Sequence, residues 1–198
     1  MKKISAIICF LITSTAILAQ KKITWGLHAG INISGVTYKN YGINFTTKSK
    51  AGFNGGIDVQ LPVSSSIIIQ PELSFSQLGG KISYLANNII GNLMENYLSL
   101  PILVKYKVQN TGLGIYMGPQ YNYLLNANTS TNSTSAATKN NYKRSDLAGI
   151  FGAEYYFPCN FGISARYQVG LLNISKIEGD GGETVKNHGF TFTVGYRF

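Results

Sequence analysis

Residues equipped for acid–base or nucleophilic chemistry are scarce in this chain, which has two histidines, His28 and His188, and two cysteines, Cys9 and Cys159. A hydrolytic site sets a histidine within hydrogen-bond reach of a serine and a carboxylate. His188 has Ser175, Asp180 and Glu183 near it in sequence, but both carboxylates fall in the glycine-rich stretch GDGGE, residues 179–183. That stretch offers a cation two carboxylates spaced by glycines, well short of the roughly six to eight oxygens that calcium takes. A polar turn is expected there instead. No catalytic residue, no cofactor-binding residue and no metal site is therefore expected. From Asn126 the tract NANTSTNSTSAATKNN reads as a low-complexity loop, and its two Asn-x-Ser/Thr triplets serve to keep a long loop solvated.

The charges are more informative. Asp58, Glu72, Lys105, Glu154, Arg166 and Arg197 all stand in stretches where apolar and polar residues alternate, and all stand on the polar parity. In a chain with only 13% charged residues, six charges of both signs on one face suit mutual neutralisation inside a closed structure better than routine solvation. Glu154 and Arg166 flank a tight turn on the same parity and are placed to pair diagonally across one hairpin. Lys105 has Glu72 or Asp58 as further partners, according to register. The sharper alternative for the same six residues is a path for protons or ions.

Positioning such a set requires strands, and a period of two recurs through the chain. Trp25, Leu27, Ala29, Ile31 and Ile33 alternate with Gly26, His28, Gly30, Asn32 and Ser34. Six further segments repeat the pattern, around Phe53 to Leu61, Ile69 to Ser76, Leu98 to Lys107, Ile115 to Tyr123, Asp146 to Phe157, and Phe161 to Leu171. The eighth is the terminal run HGFTFTVGYRF, where Phe190, Phe192, Val194, Tyr196 and Phe198 share one parity. Pro71 sits inside the third segment and Ile150 interrupts the sixth. Links between segments alternate in length: short turns at Pro62 to Ser66, Gln109 to Gly112 and Pro158 to Asn160, long ones at 35–51, 79–96, 126–145 and 173–188. This is the plan of an all-β, eight-stranded antiparallel up-and-down transmembrane barrel, with short turns on the periplasmic side and long loops outside.

Alternation alone does not say which parity faces outward, since a lipocalin-like soluble barrel has the same period with its apolar residues inside. Aromatic residues favour the membrane arrangement. Trp25, Tyr106, Tyr155, Phe157 and Phe161 gather on the apolar parity at the short-turn rim as an interfacial girdle would, and Phe53, Phe75, Tyr121, Tyr123 and Phe190 do so toward the other rim.

The leader agrees. Lys2 and Lys3, an apolar stretch from Ile4 to Leu18 and small Ala19 form a secretory signal over residues 1–19, so the barrel domain is expected to occupy 20–198. Without Lys2 and Lys3 the chain keeps 15 basic against 8 acidic residues, a net charge of +7. For an exported protein the matching anions are lipid phosphates rather than nucleic acid. Cys159 is then the one remaining thiol, so no internal disulfide is expected.

The segments GLHAGINISG, QPELSFSQLGGK, YLSLPILVKYKV, ARYQVGLLNI and the closing VGYRF resemble the Bacteroidetes PorT-like outer-membrane β-barrel family, which is similar in build to small barrels of the OmpA and OmpX type. The likeness runs over essentially the whole mature chain. The family usually has an acidic residue within the fourth motif, where this chain has Ser99. The resemblance implies Phe198 as part of the signal read by the barrel-assembly machinery, with Tyr196 and Phe192 in support. It also implies an outer-membrane location in a Gram-negative bacterium with both termini periplasmic, contact with outer-membrane lipid and lipopolysaccharide, and a structural, surface-interaction or export-assembly role, with an envelope protein as a further partner. No cofactor is implied. A narrow channel, or a lipid A modifying enzyme, stands as the alternative.

Overall fold

Alternating side chains on eight long segments close into a barrel in the computed structural model, which describes residues 22–39, 46–84, 89–130, 135–176 and 184–198. The strands are β1 (Thr24–Lys39), β2 (Thr46–Pro62), β3 (Ile67–Tyr84), β4 (Ile89–Lys107), β5 (Leu113–Ser130), a short β6 (Ser135–Ala137), β7 (Ser145–Tyr156), β8 (Phe161–Gly170) and β9 (Thr184–Arg197). Every pairing is antiparallel, and β9 returns to β1 through a continuous register from Gly26↔Arg197 to Lys39↔Thr184. Eight strands form the closed wall, and β6 is an appendage on the far end of β5. Among the described residues no helix is long and apolar enough to cross a membrane; the crossing elements are strands.

The wall is inverted relative to a soluble barrel. Trp25, Ile31, Ile102, Met117, Ile163 and Val194 are each more than half exposed, whereas Asn32, Asp58, Glu72, Lys105, Asn122 and Gln168 are buried inside. The outward parity predicted for each segment is the parity found. Trp25 to Ile33 covers about 27 Å along the strand, ~20 Å once tilted, which matches the apolar band of an outer-membrane barrel. Ile150, which interrupts the sixth segment, points inward and packs with Leu103 and Tyr116. Pro71 does not end its strand: β3 runs through it, opposite Ile102.

Three short turns close one rim. Asn110 and Asn160 adopt positive φ of 60° and 66° in two of them, a conformation that asparagine tolerates better than other side chains. The opposite rim corrects the sequence reading. Much of the predicted long loops is strand, because β1 runs to Lys39, β2 starts at Thr46, β3 ends at Tyr84, β4 starts at Ile89 and β9 starts at Thr184. Beyond the lipid a strand needs no apolar outer face, so the alternation that reveals it is muted and its Gly, Asn and Thr content mimics a loop.

In these extensions the interior changes character. Val36, Leu78, Leu93, Tyr97, Leu124, Ala127, Tyr142, Ile174 and Val185 form one buried apolar cluster. Two irregularities fit the wall around it. One extra residue lies in β2 between Ser49 and Asn54, and Leu125 is an extra residue in β5 between the pairs Asn96↔Asn126 and Tyr97↔Leu124. Such bulges bend the strand and raise its twist. Gly79 adopts φ +146° beside the first, where a Cβ would stand 2.2 Å from the Leu93 carbonyl oxygen. Ser34 locks it from below, donating to the Gly79 carbonyl and accepting from its N–H, both at 3.0 Å.

Candidate functional site

The barrel interior is where polar chemistry concentrates, because inward positions of β1 to β9 supply side chains that water does not reach. All six charges expected to line the lumen lie there, five of them fully buried and Arg197 mostly so. Nearest the short-turn rim, Glu154 Oε1 receives both Lys105 Nζ at 2.6 Å and Arg197 Nη2 at 3.0 Å. Deeper in, Arg166 Nη1 meets Glu72 Oε2 at 2.8 Å. Gln70 joins the two: its carbonyl accepts from Lys105 and from Gln60 Nε2, which turns its amide toward Glu72 Oε1 at 2.8 Å. Arg197 stacks 3.7 Å from the centre of the Tyr156 ring, and Arg166 and Lys105 flank Tyr116.

The pairing differs from the diagonal one expected between Glu154 and Arg166. The β7–β8 ladder sets Glu154 opposite Ser164 and Arg166 opposite Gly152, which makes them the expected diagonal neighbours, yet Arg166 reaches across the barrel to β3 instead. Lys105 likewise takes Glu154 rather than Glu72 or Asp58. Asp58 and Glu72 stand directly opposite each other on β2 and β3, like charges that need separate cations. Arg166 serves Glu72, and His28 Nδ1 lies 3.6 Å from Asp58 Oδ2.

His28 therefore belongs to the network, which the sequence reading missed. Its Nε2 is 3.3 Å from Ser74 Oγ, so serine, histidine and aspartate stand in the order of a nucleophilic triad. Two facts disqualify it. The His28–Asp58 separation is too long for a hydrogen bond, and the space among His28, Asp58, Glu72, Tyr156 and Arg166 is about 20 Å³, room for one water and no substrate. A mouth of about 670 Å³ opens at the short-turn rim and ends on Lys105, Glu154 and Arg197. At the other rim His188 Nδ1 contacts Thr37 Oγ1 at 3.2 Å. Ser175 is instead bridged to Tyr142, while Asp180 and Glu183 lie outside the described residues, as does the GDGGE stretch.

Two more carboxylates escaped the sequence reading. Glu95 falls in one of the long links expected from the sequence and Asp146 is not among the six expected lumen charges, yet both are buried inside, toward the rim opposite the short turns. The available signal was parity, since Glu95 shares that of Tyr97, Ser99 and Lys105. Near them the segment after β6 bridges β5 and the stretch after β8: Lys143 N donates to Ile174 O at 2.7 Å, Lys176 N to Asn141 O at 3.0 Å and Leu124 N to Arg144 O at 2.8 Å. The tract read as a solvated low-complexity loop thus delivers Tyr142 to the apolar cluster.

The residues expected to mark the girdle and the terminus face outward. Trp25, Tyr106, Tyr155, Phe157 and Phe161 are exposed beside the short turns. Phe161 and Tyr196, and Tyr196 and Phe198, pack edge to face with ring centres 5.0 Å apart, and Phe192 stacks on Phe190. Phe198 N donates to Trp25 O at 2.9 Å, tying the chain end to the first strand.

A family model described as outer membrane protein beta-barrel domain matches residues 18–176. The chain is similar in structure to Ail, the attachment invasion locus protein of Yersinia pestis, solved in complex with the heparin analogue sucrose octasulfate: 20% identity, TM-score 0.52, covering 90% of this chain and 100% of that one. It is also similar to Neisserial surface protein A, at 12% identity and TM-score 0.50, covering 89% of this chain and 97% of the other. At these identities the likeness is one of fold. No curated protein sequence matches the chain.

Proposed function

Since the chain belongs to the outer membrane protein β-barrel domain family, we propose that it is a closed, non-enzymatic outer-membrane barrel whose work is done at its surface, through its outer rim. One observation carries this reading: the interior is filled twice over, by the linked ion pairs from Arg197 to Arg166 and by the apolar cluster from Val36 to Val185. A solute path would have to break both. Planar-bilayer recording on refolded protein tests it, with no steady conductance expected. A current that changes with charge substitution at Arg166 or Glu72 would establish a channel instead.

The surface has the chemistry for anionic partners. Every Asp and Glu among the described residues is buried inside the barrel, whereas Lys48, Lys81, Lys143, Arg144 and Lys176 are exposed toward the outer rim. Lys48 and Lys81 are direct cross-strand neighbours, a like-charge pair that an anion relieves. This supports contact with lipopolysaccharide phosphates. The sulfated ligand of the Ail structure is a ligand of Ail, and gives a convenient polyanion for a binding assay. Binding that weakens steeply with salt, and further in the Lys48→Ala/Lys81→Ala variant, is expected.

The rest of the assignment follows from the leader and the ends. Cleavage after Ala19, periplasmic termini and short turns, and a terminal signal at Phe192, Tyr196 and Phe198 read by the barrel-assembly machinery form one consistent export route. A place in the PorT-like group, and with it an export-assembly role, would be supported by a stoichiometric envelope protein that co-purifies after mild detergent extraction; lipid alone would favour a free-standing barrel.

A further inference from the structure

Interior charge is balanced at one end of the barrel and not at the other. Toward the short turns the three carboxylates Asp58, Glu72 and Glu154 are matched by the three cations Lys105, Arg166 and Arg197, with His28 beside Asp58. Toward the outer rim lie Glu95 and Asp146, 0% and 1% exposed, and among the described residues neither is in an ion pair. Lys186 acts on Asp146 only from beyond ion-pair distance. Both Glu95 carboxylate oxygens, Asp146 Oδ1 and Asn187 Oδ1 are buried without a hydrogen-bond partner.

These atoms belong to one locus. Asn187 and Tyr97 are the polar neighbours of Glu95, Asp146 acts on it electrostatically, and Asn187 also neighbours Asp146. The Asn187 amide donates to the Tyr97 hydroxyl at 3.2 Å. Asn122 cannot turn its carbonyl to help, because Ser99 and Gln120 both donate to that oxygen at 2.7 Å; its amide points to Asp146 Oδ2 at a marginal 3.5 Å.

Unpaired carboxylates in an interior are strongly disfavoured, so a positive species must accompany them. A proton shared between Glu95 and Asp146 satisfies one acceptor and leaves the others stranded, Asn187 Oδ1 among them. A hard divalent cation satisfies all of them, since it takes carboxylate and amide oxygens together, and two carboxylates match its charge. Among the described residues no three His, Cys, Asp or Glu side chains converge, so two bidentate carboxylates and the amide oxygen supply about five of the roughly six to eight oxygens that calcium takes, and water must complete the shell.

We propose that Glu95 of β4, Asp146 of β7 and Asn187 of β9 form a calcium-type cation site against the buried apolar cluster at the outer end of the barrel. The ion ties three strands together beside Tyr97, and so braces the apolar cluster.

The test uses the full mature chain refolded in detergent, free of lipopolysaccharide. Thermal unfolding is followed in EDTA and over a calcium titration. The expected result is a saturable rise in the wild-type midpoint with calcium, absent from Glu95→Gln and from Asp146→Asn, which in EDTA melt at or above the wild type because an uncompensated charge is gone. Terbium provides a second readout: its luminescence, excited through tyrosine, should appear in the wild type, be displaced by calcium, and fall in Tyr97→Phe, which keeps its calcium-dependent rise in midpoint. A wild-type midpoint indifferent to calcium, with no displaceable terbium signal, overturns the proposal in favour of a shared proton. A calcium response that persists in either carboxylate variant overturns it as well, since the ion then sits elsewhere. Should the carboxylate variants fail to refold, the wild-type terbium signal and its loss in Tyr97→Phe decide alone.

Discussion

At the scale of single residues, the interior is a set of charges with no spare partners, and Glu154 is its most exposed dependency. Among the described residues it is the ion-pair partner of both Lys105 and Arg197 at the short-turn end. Glu154→Ala leaves two cations facing an apolar and amide-lined interior, and is expected to destabilise the barrel by about 3–5 kcal/mol. Denaturant or thermal unfolding in detergent checks this, and a wild-type midpoint would sink the claim that the network carries stability. The sequence placed these six residues on one face but not in their pairs. Glu154 and Arg166 are diagonal neighbours across their hairpin as expected, yet Arg166 reaches Glu72 on a strand far away in sequence.

At the scale of elements, each long hairpin is two structures in series. The lower half faces lipid outward and polar groups inward; the upper half packs like a soluble protein around Leu93, Leu124 and Val185. Opposite responses to the same kind of change follow. Leu93→Ala empties a buried site and should cost about 2–5 kcal/mol. On the lipid face, Met117 is 65% exposed, and Met117→Lys should cost ~2–4 kcal/mol in a bilayer because the charge meets hydrocarbon rather than water. Detergent micelles that wet the wall should shrink the second effect and leave the first. Gly79→Ala tests the bulge between the halves: positive φ and the Leu93 carbonyl both oppose a side chain, so a loss of roughly 1–3 kcal/mol is expected in equilibrium unfolding.

At the scale of the whole molecule, the unequal rims predict an orientation that one cysteine can test. Cys159 is exposed in the short turn between β7 and β8. With short turns on the periplasmic side, a membrane-impermeant maleimide should leave intact cells unlabelled and react once the outer membrane is permeabilised. Prompt labelling of intact cells would reverse the orientation, and with it the assignment of the basic rim to the exterior. The chain end is the other global feature. Removing Phe198 takes away the N–H that meets Trp25 and an aromatic contact with Tyr196. If the terminal aromatics are read during insertion, the truncated chain should accumulate outside the membrane even though the purified protein still refolds in detergent.

Period-two alternation, even strand count and alternating turn length are local properties. They were legible in the residues alone because lipid on one side and a crowded lumen on the other impose opposite demands on successive side chains. Outward-facing Trp25, Met117 and Val194 needed no tertiary information. Where the outer solvent changes from lipid to water, that contrast fades. The strands beyond Ile33, Phe75 and Leu98 therefore read as loops, and Glu95 was lost with them. Pairing was decided only by the closed barrel, since strand register and tilt determine which inward side chains meet across the lumen. That closure joined Arg166 to Glu72, brought His28 beside Asp58, and gathered Glu95, Asp146 and Asn187 from three separate strands beside one buried apolar cluster.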